Sequence, residues 1–347
     1  MNKRSFTALA VVVGLLGALG YGWHVRQPPK AARAAEPRAV AAASATENAI
    51  QDPLSPDRPP RADPSPRPQP ADWVRARPAF QSSRSAAERG GTEPCATQEV
   101  TDDSFEPWAR LGRGKLLLPR QTSGDTEKEL VLVIHLHGDD PVRRELIESG
   151  QRFGLYAITL GPDEGYAPLF AAQGLERMLA EIETVLGARG VRVGKVVLSA
   201  WSAGFVGVGA ALAQTGGRAI DAAVLIDGLH APRGDKNAFE AQLAPFVDYA
   251  TRASRGEGFL FVSHSSIDPP GFASTTECAH YLVATLGGKP SPVRRDERFG
   301  LELVEYFSRG DFHVRGYAGN DKADHCAQLA LLRDVYAALG RRFAVEH

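Results

Sequence analysis

Cysteine and methionine are scarce in this 347-residue chain, which has three of the first and two of the second. No two cysteines stand in a C-x-x-C spacing, which argues against a cysteine-built zinc or redox centre. Neither sign of charge is in excess, with 40 Lys and Arg against 41 Asp and Glu. No basic face stands out, so the electrostatic footprint of a nucleic-acid-binding protein is missing and no nucleic-acid partner is expected. Internal repeats are missing too, which excludes a solenoid or propeller. A long uncharged apolar run stands near the very start.

That first run is informative. Lys3 and Arg4 precede an uncharged stretch from Phe6 to Trp23, and about 18 residues of helical rise span about 27 Å, enough for a bilayer core. Secretory signals usually carry only about 7–15 such residues. The small-x-small site Ala32-Arg33-Ala34 comes late, after Pro28 and Pro29. With the positive flank in front, residues 1–26 are expected to be an uncleaved signal-anchor that contacts the membrane and leaves the remainder exported. A cleaved signal peptide and a secreted product is the rival reading. Residues 27–94 are rich in Pro, Ala and Arg and lack apolar periodicity. They cannot bury enough apolar surface to offset the entropy of ordering, and are expected to be a disordered tether. Residues 95–347 are globular in composition and long enough for one α/β domain. Cys95, Cys278 and Cys326 all fall there. In an exported domain two of them can pair. A Cys278–Cys326 bridge would brace the loop around His325, but Cys95 could equally pair with either, and sequence leaves the connectivity open.

Strand-like and helix-like segments alternate from residue 112 onward. The strands expected are 114–119, 129–136, 153–160, 195–200, 222–227, 258–264 and 311–319. Helices are expected at about 167–190, 203–215, 237–253, 273–286 and 324–343. "ELVLVIHL" is apolar on both faces, as a central strand of a covered sheet should be. The alternation implies a mostly parallel central sheet with helices on both faces, in which ligands gather beyond the carboxyl ends of the strands. Four strand ends carry polar residues that a fold alone does not require: Ser202, Asp227, Asp268 and His325. Their chain order is serine, acid, histidine.

Ala200-Trp201-Ser202-Ala203-Gly204 resembles the G-x-S-x-G nucleophile elbow of the α/β-hydrolase fold superfamily, set between a strand and a glycine-rich helix. Ala200 stands where that motif has its first glycine, a departure that keeps the small size. With His135-Leu136-His137-Gly138 and the late histidine, the resemblance covers about residues 112–343. It implies an α/β-hydrolase fold and a serine hydrolase, most simply an esterase, that needs no cofactor and takes a small ester or amide. Ser202 would be the nucleophile and His325 its base, with a carboxylate holding the imidazole. Asp227, directly off a strand, is the preferred acid. Asp268, in the loop where most members of the superfamily carry it, is the alternative. The oxyanion hole would draw on the N–H of Ala203 and on Gly138 or Asp139. His137 and Trp201 would line the substrate pocket, and Asp324 would cap the last helix.

Two other readings stay open. His135-Leu136-His137-Gly138-Asp139-Asp140 also resembles the HxHxDH motif of metallo-β-lactamase-type hydrolases, with Asp140 in place of the last histidine. Histidines two apart on a strand share a face and could share zinc. Alternatively the chain keeps the hydrolase fold as a non-catalytic envelope or binding protein, a reading the altered elbow allows. His230, His264 and His280 show no spacing that joins them to a metal and are expected to be core or surface residues.

Overall fold

The computed structural model describes residues 102–121, 128–160, 165–319 and 321–345, together with Glu88, Cys95 and Val100. The expected signal-anchor at 1–26 and, but for Glu88, the expected linker at 27–94 lie outside the described residues. Among the described residues no helix is long and apolar enough to cross a membrane.

The chain enters through β1 (Ala109–Leu111), β2 (Gly114–Leu117) and β3 (Glu129–Leu136), then makes helix α1 (Asp139–Glu148) and β4 (Gly154–Ile158). Helix α2 (Gly174–Gly187), β5 (Arg192–Trp201), helix α3 (Phe205–Thr215) and β6 (Ala222–Ile226) follow. Next come β7 (Ala231–Pro232), helix α4 (Lys236–Ala253), β8 (Phe259–Ser265), β9 (Phe272–Ala273) and helix α5 (Thr275–Thr285). The last elements are β10 (Ser291–Asp296), β11 (Glu302–Arg309), β12 (Phe312–Tyr317), α6 (Lys322–Ala327) and α7 (Leu331–Val345). The main sheet runs β1-β2-β4-β3-β5-β6-β8-β12-β11-β10. Strands β4, β3, β5, β6, β8 and β12 are parallel, β2 is antiparallel to β4, and β11 and β10 close the far edge antiparallel. An antiparallel second strand, a reversal of order around β3 and β4, and a central strand that feeds a helix at a serine define the α/β-hydrolase fold. The sequence pattern implied this architecture.

The sheet is buried on both faces. On β3, Leu132, Ile134 and Leu136 pack with Leu175 and Ile182 of α2, Val208 of α3, Leu243 of α4 and Leu282 of α5. Val133 points the other way, toward Val142 and Leu146 of α1 and Leu332, Tyr336 and Leu339 of α7. Period-two alternation on a strand with helices above and below produces both cores from one run of apolar residues.

The structure departs from the sequence pattern in several places. The expected helix over 167–190 is a 3-10 turn, Ala167–Phe170, and then α2; Ala172 and Gln173 take φ of 47° and 63° and break the run. The terminal helical stretch is likewise divided into α6, a 3-10 turn and α7. Asp321, not Asp324, caps α6; Asp324 sits at the third helical position and answers the cap's backbone N–H in a capping box. Strands β10 and β11 and helix α1 were not among the expected elements; β10, at the edge, and α1 carry many charges and few apolar residues. Charge suits an edge strand, since it discourages pairing with another chain.

Candidate active site

Strand β5 ends at Trp201, and the chain passes through a single 3-10 turn, Ser202–Gly204, into α3. Ser202 takes φ of 50°, a left-handed conformation that costs a non-glycine residue about 1–2 kcal/mol. Close packing holds it there. A Cβ on Gly204 would fall 2.2 Å from the carbonyl oxygen of Leu136, and one on Gly228 would fall 2.3 Å from that of Ser202. Ala200, in the place of the motif's first glycine, is buried and pairs in register with Leu136 and Leu225. A methyl group is therefore accommodated at that position.

Asp227 leaves β6 at φ of 40° and is 1% exposed. Its Oδ2 lies 2.7 Å from Nδ1 of His325, on α6 after the last strand. Its Oδ1 accepts from the backbone N–H of Ser265 at 2.8 Å and from the hydroxyl of Thr275 at 2.9 Å. Burial alone would raise this carboxyl, but the hydrogen bond and charge of His325, with the Thr275 and Ser265 donors, outweigh it and hold it below the usual carboxylate range. Asp227 is thus an ionised, fully coordinated carboxylate facing an imidazole. Asp268, the alternative acid, is elsewhere: its carboxylate is 46% exposed and pairs with Arg233 at 2.6 Å. From the sequence, 263–282 is a Ser- and Thr-rich segment that could shape the substrate pocket, with Ser274 or Thr275 as the cap of the following helix, and neither Thr275 nor Ser265 stands out as a partner of the acid. Ser274 does cap α5 in a box with Glu277, which frees Thr275 to reach Asp227.

The indole of Trp201 lies between two imidazoles. It stacks on His325 with centroids 4.7 Å apart and on His137 at 5.2 Å, and its Nε1 donates to the His325 carbonyl at 3.3 Å. Asp227 thus engages Nδ1 of His325, not Nε2. No hydrogen bond joins Ser202 Oγ to His325 in this structure. In unliganded sites such bonds are often long and close only with substrate. Cys326, the next residue, forms a disulfide with Cys95, Cα to Cα 5.3 Å, and Cys278 is a buried free thiol. The suggested Cys278–Cys326 bridge is therefore replaced by Cys95–Cys326, which still anchors the histidine-bearing segment.

The loop after β3 differs from expectation. The amides of Gly138 and Asp139 both donate to the hydroxyl of Thr159, each at 3.1 Å. As they stand, these two groups are not the second oxyanion donor that the motif implied. The two-histidine metal reading also fails on geometry. His135 ends inside the sheet, 0% exposed, with Nδ1 2.9 Å from Ser199 Oγ and Nε2 2.9 Å from the carbonyl of His137. Burial pushes its pKa down to about 3. His137 lies past the strand with φ of 77°, and its Nδ1 meets the Tyr166 hydroxyl at 3.0 Å. The alternation that would align the two rings ends where the strand ends.

No protein-family model matches the chain, and no curated protein matches it. Solved structures do. The chain is similar to an esterase of Rhizomucor miehei at 14% identity, over 80% of this chain and 92% of that one, with a TM-score of 0.44. It is similar to the acylaminoacyl peptidase of Pyrococcus horikoshii at 14% identity, over 71% of this chain and 44% of that one, with a TM-score of 0.42. A truncated carbohydrate esterase from gut microbiota matches at 8% identity, over 70% and 99%, with a TM-score of 0.40. This chain thus spans under half the length of the peptidase. Likeness of this degree says nothing of substrate. The strand order and the elbow at Ser202 define the class: the chain is an α/β-hydrolase-fold protein.

Proposed function

We propose that the protein is a serine hydrolase, most simply an esterase of small substrates, working through an acyl-enzyme on Ser202. The observation that carries this reading is the 2.7 Å contact between His325 Nδ1 and the buried Asp227 carboxylate, beside a serine held at φ of 50°. A serine hydroxyl is a weak nucleophile and needs a positioned base. Asp227 holds the proton of His325 on Nδ1, so Nε2 is free to accept one from Ser202 Oγ as it attacks the substrate carbonyl carbon. The oxyanion of the tetrahedral intermediate faces the N–H of Ala203. His325 then returns the proton to the leaving alkoxide or amine as the carbonyl reforms, leaving an ester on Ser202. Water, deprotonated by His325, attacks that ester; its collapse releases the acid and restores the serine. Asp227 stays ionised throughout and stabilises the imidazolium. Every proton has a place on the chain's own residues, so this chemistry calls for no cofactor.

The Cys95–Cys326 disulfide supports an oxidising compartment for the domain. That agrees with a protein held outside the cytoplasm by its apolar N-terminal segment, or released if that segment is cleaved. The reading is tested by treating the full chain with a fluorophosphonate and mapping the adduct, wild type beside Ser202→Ala. An adduct on Ser202 that the variant lacks is the expected result. Folded wild-type protein that takes no label would instead favour the non-catalytic binding protein.

A further inference from the structure

A second polar cluster joins β8, β11 and β12 to α5, where two imidazoles converge on one carboxylate oxygen. His264 near the end of β8, Gly316 of β12 and Glu305 of β11 are register neighbours across three strands. His280 of α5 joins them, its ring 5.7 Å from that of His264 and set edge-on to it. One ligand atom from each of His264, His280 and Glu305 lies within 4.8 Å of the others. The glycine between the two strand residues makes the space. A Cβ on Gly316 would sit 2.4 Å from His264 Cε1, 2.6 Å from its Nε2 and 2.6 Å from Glu305 Cγ.

The hydrogen-bond arithmetic fixes the role of Nδ1 in His264. The Thr276 hydroxyl donates to the carbonyl of Ser265 at 2.7 Å. Its one proton is thereby used, so in the 2.9 Å contact with His264 Nδ1 it is the histidine that donates. Nδ1 thus carries a proton, and Nε2 holds a lone pair in the neutral ring or is a donor in the imidazolium. That atom is buried, has no hydrogen-bond partner, and points at Glu305 Oε1 from 3.1 Å. His280 Nε2 approaches the same oxygen at 2.5 Å. In the neutral ring that lone pair faces a carboxylate, a repulsion that either a proton on Nε2 or a cation can relieve. A cation between them removes the repulsion, and an imidazole whose other nitrogen donates to a fixed oxygen is the arrangement that orients metal-binding histidines.

We propose that His264, His280 and Glu305 bind a divalent transition metal, with Zn2+ the ion their two imidazoles and one carboxylate suit best. An ion about 2.0–2.2 Å from each donor draws the three together, a movement that His280, partly open to solvent, can supply. The site is separate from the Ser202 chemistry but mechanically near it, because α5 carries Thr276 on His264 and, one residue earlier, Thr275 on Asp227. Metal at this point pins the start of α5 to the sheet.

The experiment uses the untagged full chain. Metal content is read by mass spectrometry as purified, then Zn2+ is titrated calorimetrically after EDTA treatment, for wild type, His280→Ala and Glu305→Gln. His280 is chosen over the buried His264 so that the fold survives, and circular dichroism verifies it. One equivalent of Zn2+ per wild-type chain, weakened at least tenfold in both variants, with a wild-type Tm that falls on chelation, is the expected result. Folded wild type that binds no Zn2+ overturns the proposal and leaves a buried imidazolium–carboxylate pair. Binding unchanged in the two variants overturns it equally. Fluorophosphonate labelling of His280→Ala keeps the two readings distinct, since Ser202 should still react there.

Discussion

At the scale of single residues, the decisive fact is which carboxylate reaches His325. Asp227 and Asp268 both follow strands that end at the same edge of the sheet, and both precede the histidine. They differ in what surrounds them. Asp227 is enclosed, with both oxygens bonded, whereas Asp268 is a surface partner of Arg233. Asp227→Asn should therefore lower kcat by about 10³–10⁴-fold, because an amide no longer holds the productive tautomer. Asp268→Asn should leave kcat/KM within about twofold, as exposed ion pairs contribute about 0–1 kcal/mol. Steady-state hydrolysis of a chromogenic ester checks both. Equal losses in the two variants would contradict the assignment of Asp227.

At the scale of elements, the elbow between β5 and α3 sets a structural cost against chemistry. The strained φ of Ser202 is imposed by close backbone approach at Gly204 and Gly228, not by the serine itself. Glycine adopts positive φ without the penalty that any Cβ incurs. Ser202→Gly is accordingly expected to be more stable than Ser202→Ala by about 1 kcal/mol. That ordering is the reverse of the one in helices and strands, where glycine is the less stable. Urea unfolding midpoints of the two variants read it directly, and an alanine variant as stable as the glycine one would mean the turn carries no strain. Ala200 is tolerated in the same element as a buried residue in regular register with Leu136 and Leu225.

At the scale of the whole molecule, one covalent tie links the start of the described domain to its histidine segment. The Cys95–Cys326 bridge closes 231 residues, and a loop that long restricts the unfolded chain strongly. Cys95→Ser should lower unfolding stability by about 2–5 kcal/mol. Cys278 has the opposite character. Burial, with the nearby Glu277, pushes its thiol far above the ordinary value, so the native non-reduced protein should show no thiol reactive to Ellman's reagent and a single one after unfolding in urea. A reactive thiol in the native state would mean that the bridge is open or paired differently.

How much was legible follows the range of the interactions. Strands such as Glu129–Leu136 and Phe259–Ser265 could be read because burial on both faces leaves an unbroken apolar run. The edge strand Ser291–Asp296 could not, because its charges hide the pattern. Ser202, His325 and Asp227 stood out because their types and chain order match a known chemistry. Thr275 and Ser265 did not, since a hydroxyl and a peptide N–H acquire their role only when another segment arrives opposite them. His264 and His280 looked like unrelated histidines for the same reason: 16 positions apart in the chain, they meet at Glu305 only because β11 returns antiparallel beside β12.

The sequence by itself determined the layered fold, the serine–acid–histidine order and the small residues around the turn, because these depend on local periodicity and on side-chain size. Tertiary structure alone decided between Asp227 and Asp268, joined Cys95 to Cys326, turned the Gly138 and Asp139 amides to Thr159, and drew His264, His280 and Glu305 together. Each of those outcomes is a contact between segments distant in the chain, set by strand register and loop path, which no local pattern of residues encodes.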